Sequence, residues 1–319
     1  MKAQPIYYLD ANAHVPINSR VLSKQIEFQK TIAAHGHPSS PSYPGRAASA
    51  AIEESRAKIA KLIGAESSKN IIFTNSCTQA CEWGMKLLHS HYLFISPIEH
   101  PAVQQACEKA VGNIYSKLEV DSDGIVSIPK EMNEHYAISC IHLHNELGTI
   151  QDIKQFRSKY PKNLIFSDIS QSLGKIPVNV QDLGIDIGVA GAHKFGGPSG
   201  VGFLYLKDLD LWKQFGSGSR YYMDIPGTPN TSGIVDTANA LEDAISTLDE
   251  RYNNSVKFRD VFESGLKDLG FEIIAENSNR SPNTTFVRTP ANSLLLLLEL
   301  GKRKIHCGLG SACGSLYSS

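Results

Sequence analysis

Five short apolar runs in this chain each end in residues that could do chemistry. Lys194 stands in Gly191-Ala192-His193-Lys194-Phe195-Gly196-Gly197-Pro198, behind Ile187-Gly188-Val189. Asp168 follows Leu164-Ile165-Phe166 and precedes Ile169-Ser170-Gln171. His100 lies in Ser96-Pro97-Ile98-Glu99-His100-Pro101, and Asn145 in His144-Asn145-Glu146-Leu147-Gly148. The run at 70–73 leads into Thr74-Asn75-Ser76-Cys77-Thr78-Gln79. One polar turn after an apolar run is ordinary. Several in succession, carrying an amine, a carboxyl, an imidazole, an amide and hydroxyls, suggest a shared site.

These groups suit one kind of cofactor. An aldehyde needs an amine, and Lys194 is flanked by His193 and by glycines that allow close backbone approach. A pyridine ring acts as an electron sink when a carboxyl keeps its nitrogen protonated, and Asp168 offers one. A phosphate needs hydroxyls and unpaired N–H groups at a helix start, which Cys77 and Thr78 could supply. His100 offers an aromatic face. The set points to pyridoxal 5′-phosphate. Taken alone, the 74–79 turn reads first as an ordinary N-cap by Ser76 or Thr78. A solvated surface lysine is the plain alternative for Lys194, and its position behind a buried run argues against it.

The elements that must position these residues alternate. Residues 47–62, rich in Ala, Glu and Lys with apolar residues at helical spacing, predict a helix that Gly64 stops. Short strands are predicted at 70–73, 92–95, 136–143, 163–166 and 185–189, with a helix over 78–88. Strands alternating with helices imply an α/β chain with a largely parallel sheet covered on both faces. Ligands in such sheets collect beyond the carboxyl ends of the strands.

Bulk properties exclude other classes. Lys+Arg number 31 against Asp+Glu 32, a net charge of −1, so no basic field exists for nucleic acid or an anionic membrane. The N-terminus lacks a signal-like apolar stretch, and the longest aliphatic run, 294–298, is too short to span a bilayer. The expectation is a soluble cytoplasmic protein. The six cysteines are too sparse for a disulfide scaffold. Cys77 and Cys81 lie four apart, but no second Cys/His pair follows nearby, so no metal site is expected.

The order of motifs resembles the cysteine desulfurases, the class V branch of pyridoxal-phosphate-dependent aminotransferases. The matching stretches are Tyr8-Leu9-Asp10-Ala11-Asn12-Ala13, Gly36-His37-Pro38-Ser39-Ser40 with Gly45-Arg46, and Ile72-Phe73-Thr74 with Thr78. They continue through Glu99-His100-Pro101-Ala102-Val103, Asn145-Glu146-Leu147-Gly148-Thr149-Ile150-Gln151, and Asp168 with Gln171, Gly174 and Lys175. Ala192-His193-Lys194 with Gly197-Pro198 and Gly200, then Gly227-Thr228, complete the set.

The resemblance implies fold type I: a mainly parallel seven-stranded sheet in a large domain, taken as 15–232, plus a smaller α+β domain from 1–14 and 233–319. It implies that Lys194 binds the cofactor covalently and carries protons, that Asp168 pairs with the pyridine nitrogen and that Gln171 bonds the ring hydroxyl. His100 would stack on the ring and assist proton transfer, and Asn145 would touch cofactor or substrate. Cys77, Thr78 and His193 would hold the phosphate, with Thr228 reaching over from the partner subunit of a homodimer. Gly310-Ser311-Ala312-Cys313 resembles the family's mobile loop, which makes Cys313 the thiol that takes sulfur from L-cysteine as a persulfide and passes it to an acceptor protein for iron–sulfur or thiolation pathways. Cys307 is a weaker rival.

The chain departs from that pattern in three places. Gly191 replaces a hydroxyl residue that helps bind phosphate, and residues 216–226 replace a glycine-rich loop with Gln and Arg. Family members also continue through a longer small domain containing an arginine that clamps the substrate carboxylate, whereas no arginine follows Arg303. Arg46 and Arg220 are the candidates to replace it. Another class V reaction (selenocysteine lyase or aminotransferase) and a non-catalytic scaffold are the alternatives to weigh.

Overall fold

The computed structural model of the chain describes residues 5–112, 114–213 and 228–310. Through the middle of the chain, strands and helices take turns. The order begins β1 (Tyr7–Tyr8), α1 (Ser19–Gln29), α2 (Tyr43–Ile63), β2 (Ile71–Thr74), α3 (Cys77–Lys86), β3 (Tyr92–Ile95), α4 (Pro101–Val111) and β4 (Tyr115–Lys117). It continues β5 (Tyr136–Ser139), α5 (Ile153–Lys159), β6 (Leu164–Asp168), α6 (Val180–Leu183), β7 (Ile187–Gly191), β8 (Gly202–Leu206) and α7 (Leu209–Lys213). The last part holds α8 (Thr231–Ser246), α9 (Leu248–Asp268), β9 (Glu272–Ile274), β10 (Phe286–Arg288), α10 (Ser293–Lys302) and β11 (Ile305–His306).

Seven strands form one sheet in the order β2-β8-β7-β6-β5-β3-β4, parallel except at β8, which runs antiparallel to both neighbours. This is the α/β, mainly parallel seven-stranded sheet expected for fold type I. Its central strands read as unbroken apolar runs because helices cover both faces. One cluster joins Ile71, Phe73, Ile138, Ile165, Phe203 and Tyr205 to α2. A second joins Ile72, Leu93, Ala137, Phe166, Ile187 and Leu204 to α3 and α4. Two strands of this sheet, β4 and β8, have no clear signal in the sequence. β4 is a three-residue edge, and β8 follows β7 too closely in sequence to look like another crossover unit.

Local chemistry explains the boundaries. α2 begins at Tyr43, earlier than its Ala-rich stretch, because Ser42 caps it by accepting from the Gly45 N–H and proline occupies its first turn. It ends at Gly64, in the left-handed conformation at φ 71°. Arg56, buried within this helix, donates to the Ile71 carbonyl and lies 4.9 Å over the Phe73 ring, tying α2 to β2. The core does not stop at 232: α8 buries Ile234, Ala238 and Leu241 in the same cluster as α2. Beyond α8, β1 pairs in parallel with β11, so the N-terminal arm is held by the last described strand. No described helix is long and apolar enough to cross a membrane.

Candidate active site

The residues singled out by type converge beyond the carboxyl ends of β5, β6 and β7. Asp168 is the last residue of β6 and is buried; one carboxyl oxygen accepts from the Ser170 N–H at 2.8 Å. Lys194 closes a single 3₁₀ turn, Ala192–Lys194, directly after β7. Its ammonium donates to the carbonyls of Asn12 at 2.7 Å and Ala13 at 3.0 Å. The lysine is thus fixed by an arm more than 180 residues away in sequence.

Asn12 is the hub. Its carbonyl also accepts from Gln171 Nε2 at 2.8 Å, and its side chain donates to the Asn145 carbonyl at 3.1 Å and to Thr284 Oγ1 at 2.9 Å. Lys175 Nζ donates to Asn12 Oδ1 at 2.9 Å and to Gln171 Oε1. Burial, with Lys194 and Arg251 nearby, brings the Lys175 amine down to about 7. Neither Asn12 nor Lys175 had been assigned a role, although both stand in recognised motifs. Their shared contacts became visible only in three dimensions.

Three histidines surround Lys194. His193 and His14 stack with ring centroids 5.7 Å apart. Burial and the neighbouring Lys194, His14 and His100 lower His193 to about 4. His100 caps α4: its Nδ1 accepts from the Ala102 N–H at 3.1 Å, so the neutral ring carries its proton on Nε2. Burial also lowers the His100 pKa, against the opposing pull of Asp168. Behind it, buried Glu99 accepts from Ser139 Oγ at 2.8 Å, while its Oε2 has no partner among the described residues. Desolvation raises this carboxyl to about 8, which keeps it protonated at neutral pH.

Cys77 and Thr78 open α3 immediately after the cap at Ser76, whose side chain accepts from the Gln79 N–H at 3.1 Å. The ordinary N-cap is therefore real, and it leaves the first-turn N–H groups of the helix for a ligand. β8 passes directly beneath. Gly202 registers against both Thr74 and Gly191, and a Cβ there would meet the Cys77 nitrogen at 2.8 Å. A Cβ on Gly191 would meet Cys77 Cβ at 3.1 Å. In place of a hydroxyl at 191, Ser170 Oγ accepts from the Gly191 N–H at 3.2 Å and lies 3.2 Å from Cys77 Sγ.

The arrangement therefore joins Cys77, His100, Asn145, Asp168, Gln171, His193 and Lys194 in one region. Thr78 is exposed at its edge. Thr228 is exposed elsewhere, in a hollow with His35, His37 and Asn230. Cys313, Arg220 and the 216–226 loop lie outside the described residues. The segment leading toward Cys313 does reach the rim: Cβ atoms placed on Gly308 and Gly310 would lie 3.1 Å from Asp10 Oδ1 and Glu146 Oε2 respectively. Cys307, half-buried beside Asp10, has its thiol pKa raised by burial. An amine, a buried carboxyl, a neutral imidazole, an amide and a capped helix start, gathered on glycine-lined backbone, fit a pyridine aldehyde with a phosphate arm.

Comparison with known proteins is consistent with this geometry. The model of the class-V aminotransferase family matches residues 7–319. The chain is 34% identical to cysteine desulfurase IscS of Dictyoglomus turgidum, over 97% of this chain and 82% of that protein. It is 32% identical to putative cysteine desulfurase IscS 1 of Bacillus subtilis, over 98% and 87%. Among solved structures, a NifS-like protein superposes with a TM-score of 0.85 at 31% identity, covering 95% of this chain and 87% of that one. A NifS-like protein from Rickettsia africae gives a TM-score of 0.85 at 28% identity, covering 96% and 88%.

Proposed function

The chain belongs to the class-V aminotransferase family, and we propose that it is a cysteine desulfurase that uses pyridoxal 5′-phosphate to move the sulfur of L-cysteine onto Cys313, releasing L-alanine. The observation that carries this reading is the placement of the Lys194 amine on the Asn12 and Ala13 carbonyls, beside Asp168 and His100, with the backbone leading to Cys313 running past Asp10 and Glu146 at the rim.

When bound, the cofactor supplies an electron sink that lets the substrate lose a proton and then its sulfur. The chain's own residues do the rest. Lys194 would hold the cofactor through its amine and would carry a proton at Nζ. Asp168 would hold the pyridine nitrogen, and Gln171, steadied by Asn12 and Lys175, would hold the ring hydroxyl. His100 would offer its Nε2–H to the substrate. Cys77, Thr78 and His193 would hold the phosphate, with Ser170 supplying the hydroxyl that Gly191 lacks. The Cys313 thiolate attacks the substrate sulfur: an S–S bond forms, the C–S bond breaks, and the electron pair of that bond stays with the carbon fragment that becomes alanine.

The same reading takes 15–232, continued through α8, as the cofactor-binding unit and the flanking segments as a second domain. It also takes the protein as a homodimer in which Thr228 serves the partner's site, and an acceptor protein as the destination of the persulfide. The test is a pyridoxal-phosphate absorbance spectrum combined with sulfide release from L-cysteine. The reading holds if Lys194→Ala abolishes the visible band and Cys313→Ala abolishes sulfide but keeps the band. A band with no sulfide from the parent chain points to another class V reaction, and no band at all points to a scaffold.

A further inference from the structure

Three side chains from α3 and the end of β6 meet one another. Cys77 Sγ, Cys81 Sγ and an Asp168 carboxyl oxygen all lie within 4.8 Å of one another. The two cysteines stand four apart on α3, so their side chains share one face of the helix. Asp168 arrives from the end of β6. Cys81 and Asp168 are buried and Cys77 is half-buried. Ser170 Oγ, 3.2 Å from Cys77 Sγ, places one more oxygen at the edge of the group.

Two sulfurs and a carboxyl oxygen are the donors a borderline-soft divalent cation prefers, with bond lengths near ~2.3 Å to sulfur and ~2.0–2.2 Å to oxygen. Ligand atoms at those radii around one tetrahedral centre lie roughly 3.5–4 Å apart. The present spread, within 4.8 Å, has to close by about 1 Å to reach that spacing. We propose that the cofactor-free protein binds a thiophilic divalent cation, zinc or its spectroscopic substitute cobalt(II), through Cys77, Cys81 and Asp168, and that cation and cofactor exclude each other. Binding releases the two thiol protons to solvent and leaves a fourth position for water or Ser170. The exclusion rests on the proposed cofactor role of Asp168, because a cation on that carboxylate neutralises the charge that keeps a pyridine nitrogen protonated and repels the protonated ring. The cation site itself does not depend on that role.

The test uses the full chain stripped of cofactor and titrated with cobalt(II). Thiolate-to-cobalt charge-transfer absorption is expected, and zinc should bleach it. Cys81→Ala and Asp168→Asn should each weaken cobalt binding by at least the roughly 10–100-fold that changes outside the ligand shell cost. Circular dichroism verifies that each variant is folded, and Cys77→Ala, at a half-buried position, gives the same reading if Cys81→Ala does not fold. Protein loaded with pyridoxal phosphate beforehand should show no charge-transfer band. Cobalt binding that is undiminished in all three variants overturns the site, and equal binding with and without cofactor overturns the exclusion. Failure of the cofactor reading would show separately, as no visible band on adding pyridoxal phosphate, and leaves the cobalt titration readable.

Discussion

The strand-end region around Lys194 and the outer faces of α9 and α10 spend their side chains in opposite ways. In the first, polar groups are withdrawn from water, and most bond to one another: Gln171, Lys175, Asp168, Glu99 and Ser170 are all buried. In the second, apolar groups face outward. Phe258 is 76% exposed and Val261 75%, one helical turn along the same face, while Leu294, Leu295 and Leu298 are more than half exposed on α10. The two regions are joined by a buried ion pair, Arg280 with Glu263, whose two N–O contacts are 2.9 and 3.0 Å. Around that pair, the Ile150 N–H donates to the Asn279 carbonyl at 2.9 Å and the Ser281 N–H to the Gly148 carbonyl at 2.7 Å. The C-terminal part is therefore stitched to the loop bearing Asn145. Buried polar groups make a region intolerant of change because each lost partner leaves an unsatisfied group, whereas solvated apolar groups can be exchanged at little cost.

Four substitutions sharpen or break that contrast. The largest effect is expected for Lys194→Ala, which should remove the visible cofactor band and reduce turnover by at least the ~10²–10⁴-fold that a positioned proton carrier contributes. Arg280→Met should follow, because it strands the Glu263 carboxyl; denaturant unfolding should show a loss of about 3–5 kcal/mol. A loss below ~1 kcal/mol would mean that the two regions are not coupled through this pair.

Glu99→Gln comes next and is read as a pH profile. The carboxyl is raised in the folded chain from 4.5 to about 8. The folded state therefore holds its proton more tightly, and the associated stability is complete below pH 4.5 and is lost as pH rises through about 8. The glutamine variant should flatten that decline, on the order of a few kcal/mol. A second arm has the opposite sign. His142, His144 and His193 are each lowered to about 4, chiefly by burial. Their stability is complete above pH 6.5 and is lost as pH falls through about 4, in the parent and Glu99→Gln alike. An unchanged decline above neutrality in Glu99→Gln would show that another group causes it.

The smallest effect is expected for Phe258→Ser on the open face of α9, within about 0.5 kcal/mol of the parent. A cost nearer 1.5–3 kcal/mol, the value of burying a large apolar side chain, would mean that this face is covered in solution.

Residue types and their order determined a good deal. Short apolar runs punctuated by polar turns specified an α/β chain with a mainly parallel sheet, because strands buried on both faces have no polar side to display. The succession of strand ends singled out Lys194, Asp168, His100, Asn145 and Cys77, since a parallel sheet brings such ends to one edge. The tertiary structure decided what sequence distance concealed. The antiparallel insertion of β8 places Gly202 under the turn that opens α3, a consequence of strand order that no local pattern encodes. Asn12 holds Lys194 and Lys175 together across more than 160 residues. The pair of cysteines on α3 gains its third donor, Asp168, from a strand more than 80 residues further along. Periodicity reports which face of an element is buried, but which polar groups share that burial is settled only when the elements pack.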